Sequence, residues 1–482
     1  MSFSSVTYLV FFTVVCLFMA LTNILKLKLG ISKTQTARHS FLLLASYIFY
    51  GWWDYRFCFL MLALTLTAYF TALEVAKNNR YRRLSLTLGV AVPLIVLGIF
   101  KYFNFFVDSF AAAFGIGSVR TLSIILPVGI SFYTFQSLSY TIDVSRGRLP
   151  AQKSFLKLAL YVSFFPQLVA GPIVKADDFI PQLDEDRSIS LKNLESGIQI
   201  FFIGMLKKVV IADRISVFVD EVFGNPTQFG GLTVLLSVFA YAVQIYCDFA
   251  GYSDMAIGSA KCIGFDIKRN FNLPYISRNV SEFWKRWHIS LSTWLMEYLY
   301  IPLGGNRKGE ARTYLNLLIT MLLGGLWHGA SWTFVAWGFF HGAGLCVHKL
   351  YMKLRGRDKN FKGTPVSNAI STVFTFLYVC FGWIFFRADT FGTAWSVIKA
   401  IFTMQKGVEH PFFWAFAGIG FVIAEAVICA VKSKKKELTK IEASYPSLPL
   451  DKVWGLTLMA ILIMVVLGFA NTGSNPFIYF QF

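Results

Sequence analysis

The chain is short of charge, and of acid above all. In 482 residues Asp and Glu number 26 against 45 Lys and Arg, and only 15% of positions are charged. A soluble domain of average composition carries about a quarter charged residues. With 56% apolar residues and a mean hydropathy of +0.57, this scarcity excludes an ordinary soluble globule and points to an integral membrane protein. Unpaired backbone groups cannot be left in lipid, so the choice lies between helices and a closed barrel. The uncharged runs are too long for barrel strands, and an all-α, polytopic bundle is expected.

Other absences narrow the chemistry. The seven cysteines, at 16, 58, 247, 262, 346, 380 and 429, include no C-x-x-C pair and read as buried small hydrophobes rather than a disulfide frame or a zinc site. No H-E-x-x-H, Walker, dinucleotide-binding or G-x-S-x-G pattern occurs. That removes the sequence support for a zinc hydrolase, an ATP-driven pump, a nicotinamide enzyme and a serine hydrolase. No metal site and no bound cofactor are expected. The net charge of +19 sits in short clusters such as Lys77, Arg80, Arg82 and Arg83, or Lys432, Lys434, Lys435, Lys436 and Lys440. Such clusters orient spans and touch anionic membrane lipid; without interleaved aromatics in a polar region they do not indicate nucleic acid.

What is present is a series of charge-poor runs near 6–25, 40–52, 57–75, 85–105, 121–141, 155–173, 198–212, 231–250, 313–327, 331–350, 368–386, 411–431 and 453–470. They predict roughly 10–12 membrane-embedded helices in a single membrane domain, 1–482: N-terminal helices 1–120, a core 121–350 and C-terminal helices 351–482. Val6 to Leu25 has no basic residue before it and no small-x-small site after it, so it reads as a retained span. Lys26, Lys28, Lys33 and Arg38 follow it and place the N-terminus outside. Two prolines and a glycine within Ser163 to Val174 predict a broken helix lining a cavity.

Between Tyr246 and Asn306, Asp248, Asp254, Asp266, Arg278, Lys285, Arg286, His288 and Glu297 fall among aromatics. Ionisable groups at this density must face protein or water, and a polar cavity is to be sought here. His288, in "FWKRWHISLSTW", and His328, in "GGLWHGASW", each follow a tryptophan. Either alone reads more readily as a hydrogen-bonded core histidine than as a catalyst. Together they suggest a catalytic pair, since a neutral imidazole can take a proton from an attacking hydroxyl. Gly324, Gly325 and Gly329 would let a backbone or a thin substrate come close to His328. Trp327, Asp254, Arg286 and Trp287 are further candidates for the cavity or substrate lining. His341 and His348, seven residues apart, share a helix face and read as packing residues.

Four stretches carry a resemblance: "YCDFAGYSDMAIG", "NFNLPYISRNVSEFWKRWHISLSTW", "LLGGLWHGASWTFVAWG" and the terminal "FIYFQF". From about Phe41 onward the chain resembles the membrane-bound O-acyltransferase (MBOAT) family, in its bacterial alginate O-acetylation and D-alanyl teichoic acid transferase branch. The resemblance implies the MBOAT fold, with a central polar tunnel, and puts the family's two histidines at His328 and His288. It implies a cytosolic thioester donor, acetyl-CoA in the acetylating branch, and an extracytoplasmic polysaccharide acceptor. It also implies a separate extracytoplasmic acyltransferase partner and residence in the inner (cytoplasmic) membrane of a bacterium.

The FIY-x-x-F pattern of that branch falls on Phe477, Ile478, Tyr479 and Phe482, which makes Tyr479 a candidate acyl relay. By residue chemistry alone the same tail reads as an interfacial aromatic anchor. Two rival functions stay open at this stage: D-alanyl transfer to teichoic acid, and a non-catalytic component of polysaccharide export.

Overall fold

The computed structural model describes residues 1–29, 34–117, 121–169, 171–356, 363–410, 412–434 and 448–470. Among them the secondary structure is helical, with a lone bridge pairing Phe229 and Val408. In chain order the helices are α1 (Val6–Leu29), α2 (Thr34–Asp54), α3 (Arg56–Ala76), α4 (Arg82–Leu97), α5 (Phe103–Phe114), α6 (Ile130–Ser145), α7 (Phe155–Ser163), α8 (Phe165–Leu168), α9 (Ala176–Asp184) and α10 (Leu191–Met205). They continue with α11 (Asp213–Gly224), α12 (Gly231–Cys262), α13 (Val280–Arg286), α14 (Ile289–Leu295), α15 (Glu310–His328), α16 (Trp332–Leu354), α17 (Pro365–Arg387), α18 (Phe391–Phe402), α19 (Phe413–Lys434) and α20 (Val453–Ala470). The described chain forms two compact units, Met1–Phe202 with Tyr252–Lys268, and Ile203–Gly251 with Arg269–Phe482.

In the first unit, polar and aromatic contacts fasten helices that lipid-like surfaces alone would not hold. Helix association in lipid lacks a hydrophobic drive and relies on close packing and hydrogen bonds. Tyr8 on α1 meets Ser259 on α12 in a buried 2.6 Å hydroxyl pair. Ser46 on α2 accepts the Phe165 amide at the start of α8. A Cβ on Gly89 of α4 would lie 2.7 Å from both Thr71 of α3 and Thr141 of α6, so glycine there permits three helices to meet. The expected broken helix is present: α7 stops at Ser163, α8 adds four residues, and the chain is not helical from 171 to 175. The run at 121–141 does not form one helix. Pro127 precedes Gly129, whose φ of +75° ends any regular path, and α6 begins only at Ile130.

The second unit is built around two features. One is an ion network next to a π-turn at Leu206–Ala212, which presents Lys207 and Lys208 to the interior. Lys208 Nζ lies 2.7 Å from Asp213 of α11 and also bonds Asp248 of α12. Lys207 Nζ lies 2.7 Å from Glu425 of α19, whose other oxygen accepts the Tyr246 hydroxyl at 2.7 Å. The other feature is the hairpin of α15 and α16. A Cβ on Gly325 would sit 2.2 Å from the Phe334 carbonyl oxygen, and one on Gly338 would sit 2.3 Å from that of Met321. The two backbones touch because neither residue carries a side chain. Ser331 starts α16 by accepting the Thr333 amide.

Among the described residues six helical stretches are long and apolar enough to cross a membrane: Val6–Lys26, Arg56–Ala76, Arg82–Phe114, Gly231–Cys262, Pro365–Arg387 and Val453–Ala470. The third of these is α4 and α5 joined through a π-turn at Gly98–Tyr102. α12 runs to 32 residues, a dozen beyond the expected 231–250.

Two expectations follow. Lys208→Met leaves the Asp213 and Asp248 carboxylates buried without this cation, and should cost about 3–5 kcal/mol. It is read as a fall in thermal midpoint in detergent that Asp213→Asn with Asp248→Asn partly restores. Gly338→Val pushes α16 off α15 and should cost at least about 1–3 kcal/mol, with loss of the monodisperse species on size exclusion.

Candidate functional site

α13 and α14 are each seven residues long and are separated by Trp287 and His288. Asn279 caps α13 by accepting the Glu282 amide at 2.8 Å, and Glu282 returns the bond by accepting the Arg278 amide at 3.1 Å. This reciprocal cap fixes where the helix begins, and so where it delivers the Trp287–His288 pair. The backbone then turns sharply. His288 sits in the left-handed region, φ +41° and ψ +57°, which costs a non-glycine residue about 1–2 kcal/mol.

The preceding segment holds the turn in place. The Ile289 amide donates to the Asn270 carbonyl and the Asn272 amide to the Arg286 carbonyl, both at 2.9 Å. The Asn270 side-chain oxygen lies 3.2 Å from His288 Nδ1, and accepts the Ser290 amide at 3.1 Å and its hydroxyl at 2.9 Å. His288 is fully buried. Its Nε2 has no hydrogen-bond partner among the described residues. Burial lowers its pKa to about 3, so the ring is neutral at physiological pH.

His328 is the last residue of α15, 3% exposed. Its ring centre is 6.3 Å from that of His288, 5.1 Å from Trp327, 5.0 Å from Trp337 and 5.2 Å from Phe386. Trp327 also stands 5.8 Å from His288, and Phe249 of α12 closes on His288 edge-on at 4.6 Å. Two imidazoles therefore face each other inside an aromatic wall. Such a pair can accept a proton from a hydroxyl, return it to a leaving group, and exclude bulk water.

The other sequence candidates divide. Trp327 joins the pair. Trp287 turns to Phe271, Phe283 and Trp383 at 5.0, 5.5 and 4.9 Å and packs behind the turn. Arg286 is held by Glu282 at 2.9 Å and the Asn272 carbonyl at 3.1 Å, and braces the loop. Burial alone would raise the Glu282 carboxyl, but the Arg278 amide and the Arg286 and Arg278 guanidinium groups hold it below its usual value. Asp254 is a buried residue of the first unit, whereas both histidines belong to the second. Phe477, Ile478, Tyr479 and Phe482 lie outside the described residues. His341 is buried between Trp284 and Trp337 at 5.2 and 4.9 Å, as a packing residue would be.

Sequence reasoning passed over Asn270, Phe249, Trp337 and Phe386. Asn270 sits in "KRNFNLP", where an asparagine looks like any turn residue. The one local signal was the clustering of that loop with the histidine segment in a single polar stretch.

Residues 3–388 match the family described as MBOAT, membrane-bound O-acyltransferase family. The chain is 39% identical over 496 residues to the probable alginate O-acetylase of Azotobacter vinelandii, covering 95% of this chain and 98% of that protein. It is 38% identical over 388 residues to the peptidoglycan O-acetyltransferase of Helicobacter pylori, with 75% and 73% covered. Against the teichoic acid D-alanyltransferase of Bacillus subtilis the identity is 28% over 275 residues, with 55% and 69% covered.

Burial of a neutral His288 makes a prediction about pH. The folded pKa near 3 lies below the ordinary 6.5, so between these values the unfolded chain binds a proton that the folded chain does not. The resulting stability is complete above about pH 6.5 and is lost as pH falls toward 3. The thermal midpoint in detergent should drop between pH 7.5 and 5, and His288→Gln should drop less steeply.

Proposed function

The chain belongs to the membrane-bound O-acyltransferase family and is a multi-pass membrane acyltransferase; from that premise we propose that it moves an acetyl group from a cytosolic thioester, acetyl-CoA, to hydroxyls of an extracytoplasmic polysaccharide. The buried His288–His328 pair is the observation that carries this reading. Its identity to relatives named for O-acetylation of alginate and of peptidoglycan supports an acetyl group and a sugar polymer. The lower identity to a D-alanyltransferase argues against D-alanine as the group moved.

In the transfer from the thioester the hydroxyl oxygen of the acceptor bonds the acyl carbon and its proton passes to an imidazole nitrogen. The bond from that carbon to sulfur breaks, and the thiolate leaves with the proton. One C–S bond is exchanged for one C–O bond, with no net proton; in a later transfer from a tyrosyl ester the aryl C–O bond breaks instead, and the phenol oxygen leaves with the proton. Trp327, Trp337, Phe249 and Phe386 keep water from competing for the acyl group.

Tyr479 serves as an intermediate acceptor. A thiol has a pKa near 8.5 and a phenol near 10, and a sugar hydroxyl is far less acidic. Thioester to aryl ester to alkyl ester therefore runs downhill, and a tyrosyl ester is still activated when it meets the polymer. A separate extracytoplasmic acyltransferase partner completes the transfer. The basic loops orient the enzyme in the cytoplasmic membrane of a bacterium.

The test is a donor assay on full-length protein in vesicles. Label should enter from acetyl-CoA; label taken only from D-alanyl carrier protein would overturn the acetyl reading. His288→Ala and His328→Ala should each lower transfer by about 10² to 10⁴ with the fold intact. Peptide mass spectrometry should find acetyl on Tyr479, and Tyr479→Phe should abolish transfer to polymer; full activity in that variant reduces the tail to an anchor.

A further inference from the structure

We propose that Asn270 is a positioning residue that holds His288 as the Nδ1–H tautomer and so makes His288 Nε2 a proton acceptor of the site; the proposal rests on the acyl-transfer reading above. The Ser290 backbone N–H can only donate, and it points at the Asn270 side chain at 3.1 Å. The amide oxygen, not its nitrogen, must therefore occupy that corner. His288 Nδ1 lies 3.2 Å from the same oxygen. A lone pair on Nδ1 would face a lone pair on oxygen, so Nδ1 carries the hydrogen.

A neutral imidazole has one donor and one acceptor nitrogen. With Nδ1 protonated, Nε2 holds the free lone pair, and Nε2 is the nitrogen left buried without a partner among the described residues. The aromatic rings closest to the His288 ring among the described residues are Phe249, Trp327 and His328, and of these only His328 is titratable.

The backbone enforces the same arrangement. Asn270 is 1% exposed, and its carbonyl takes the Ile289 amide at 2.9 Å. One residue thus grips the left-handed turn at His288 through its main chain and the ring through its side chain. In the other tautomer the acceptor nitrogen would face the Asn270 oxygen, out of reach of any substrate. Holding the ring this way lets Nε2 take the hydroxyl proton as the C–O bond forms and give it to the departing thiolate.

Asn270 offers a competing role, since its Nδ2 has no hydrogen-bond partner among the described residues and could donate to the acyl carbonyl. Asn270→Asp separates the two, because it keeps the acceptor and removes the donors. Asn270→Leu removes both.

The direct test is nitrogen-15 NMR of full-length protein labelled at histidine, with the His288 signals identified by difference from His288→Gln. The expected result is a protonated, pyrrole-type Nδ1 and a bare, pyridine-type Nε2; the reverse pattern overturns the proposal. In the transfer assay Asn270→Asp should stay within about tenfold of wild type, with its pH profile displaced upward because a carboxylate stabilises the imidazolium. Asn270→Leu should lose about 10² or more while keeping its elution volume.

Wild-type transfer by Asn270→Leu, or an Asn270→Asp as inactive as Asn270→Leu, overturns the proposal. Should Asn270→Leu fail to fold, the wild-type tautomer decides. A wild-type protein that accepts no acyl group from any thioester sinks the functional reading, while the tautomer measurement stands apart from it.

Discussion

The touching backbones of α15 and α16 set the position of the aromatic wall. With no Cβ at Gly325 or Gly338, the helices approach until carbonyl oxygens of one meet α-carbons of the other. The hairpin then has little freedom to slide or rotate, and His328 at the end of α15 is presented to Trp337 at a fixed distance. His288 is held by contrary means. It sits in a strained turn between two helices of about two turns each, and hydrogen bonds from a single neighbouring loop supply what helix packing cannot. The pair therefore combines a group fixed by packing with a group fixed by hydrogen bonds. Removing either constraint should displace one ring while leaving the other in place.

Polar groups inside the protein follow the economy of lipid. A charge in the interior is tolerable only when paired and hydrogen-bonded, and across three helices and a π-turn Lys207 pairs with Glu425 and Lys208 with both Asp213 and Asp248. His288 obeys a different rule, staying neutral. The network gives the second unit its cohesion, while burial alone sets the state of the His288 ring.

The helices and the two histidines were legible in the sequence because both leave local signatures. Uncharged runs mark spans, and a histidine following tryptophan in apolar sequence is conspicuous. The end of α12 was not legible. Gly251 and Gly258 pack against the carbonyls of Gly204 and Gly197 at 2.6 and 2.5 Å from where a Cβ would be, and Ser253, Asp254 and Ser259 are polar. A hydropathy reading stops at such residues, whereas a buried helix face needs them. α18 was missed for the opposite reason, being twelve residues long and too short to register as a span. Arg286 and Trp287 read as cavity or substrate lining by proximity in sequence, but side chains that adjoin along a tight turn point apart, and theirs contact the loop and its aromatic neighbours. Asn270 could be found only once the fold had brought residues 270 and 288 together.

α12 has a consequence beyond the site. At 32 residues it is about 48 Å long, well over the ~30 Å of bilayer hydrocarbon, yet 78% of its most apolar window is buried in protein. For the windows in α1 and α20 the shares are 22% and 17%. The helix that carries Phe249 and Asp248 is thus largely insulated from its lipid neighbours, and hydrophobic mismatch acts on the outer helices instead. A membrane that thickens or thins with temperature or growth phase would act on α1 and α20 first. Phe249, which closes on His288, sits on the helix least exposed to that strain, an arrangement suited to an enzyme whose solvent is a bilayer of changing composition.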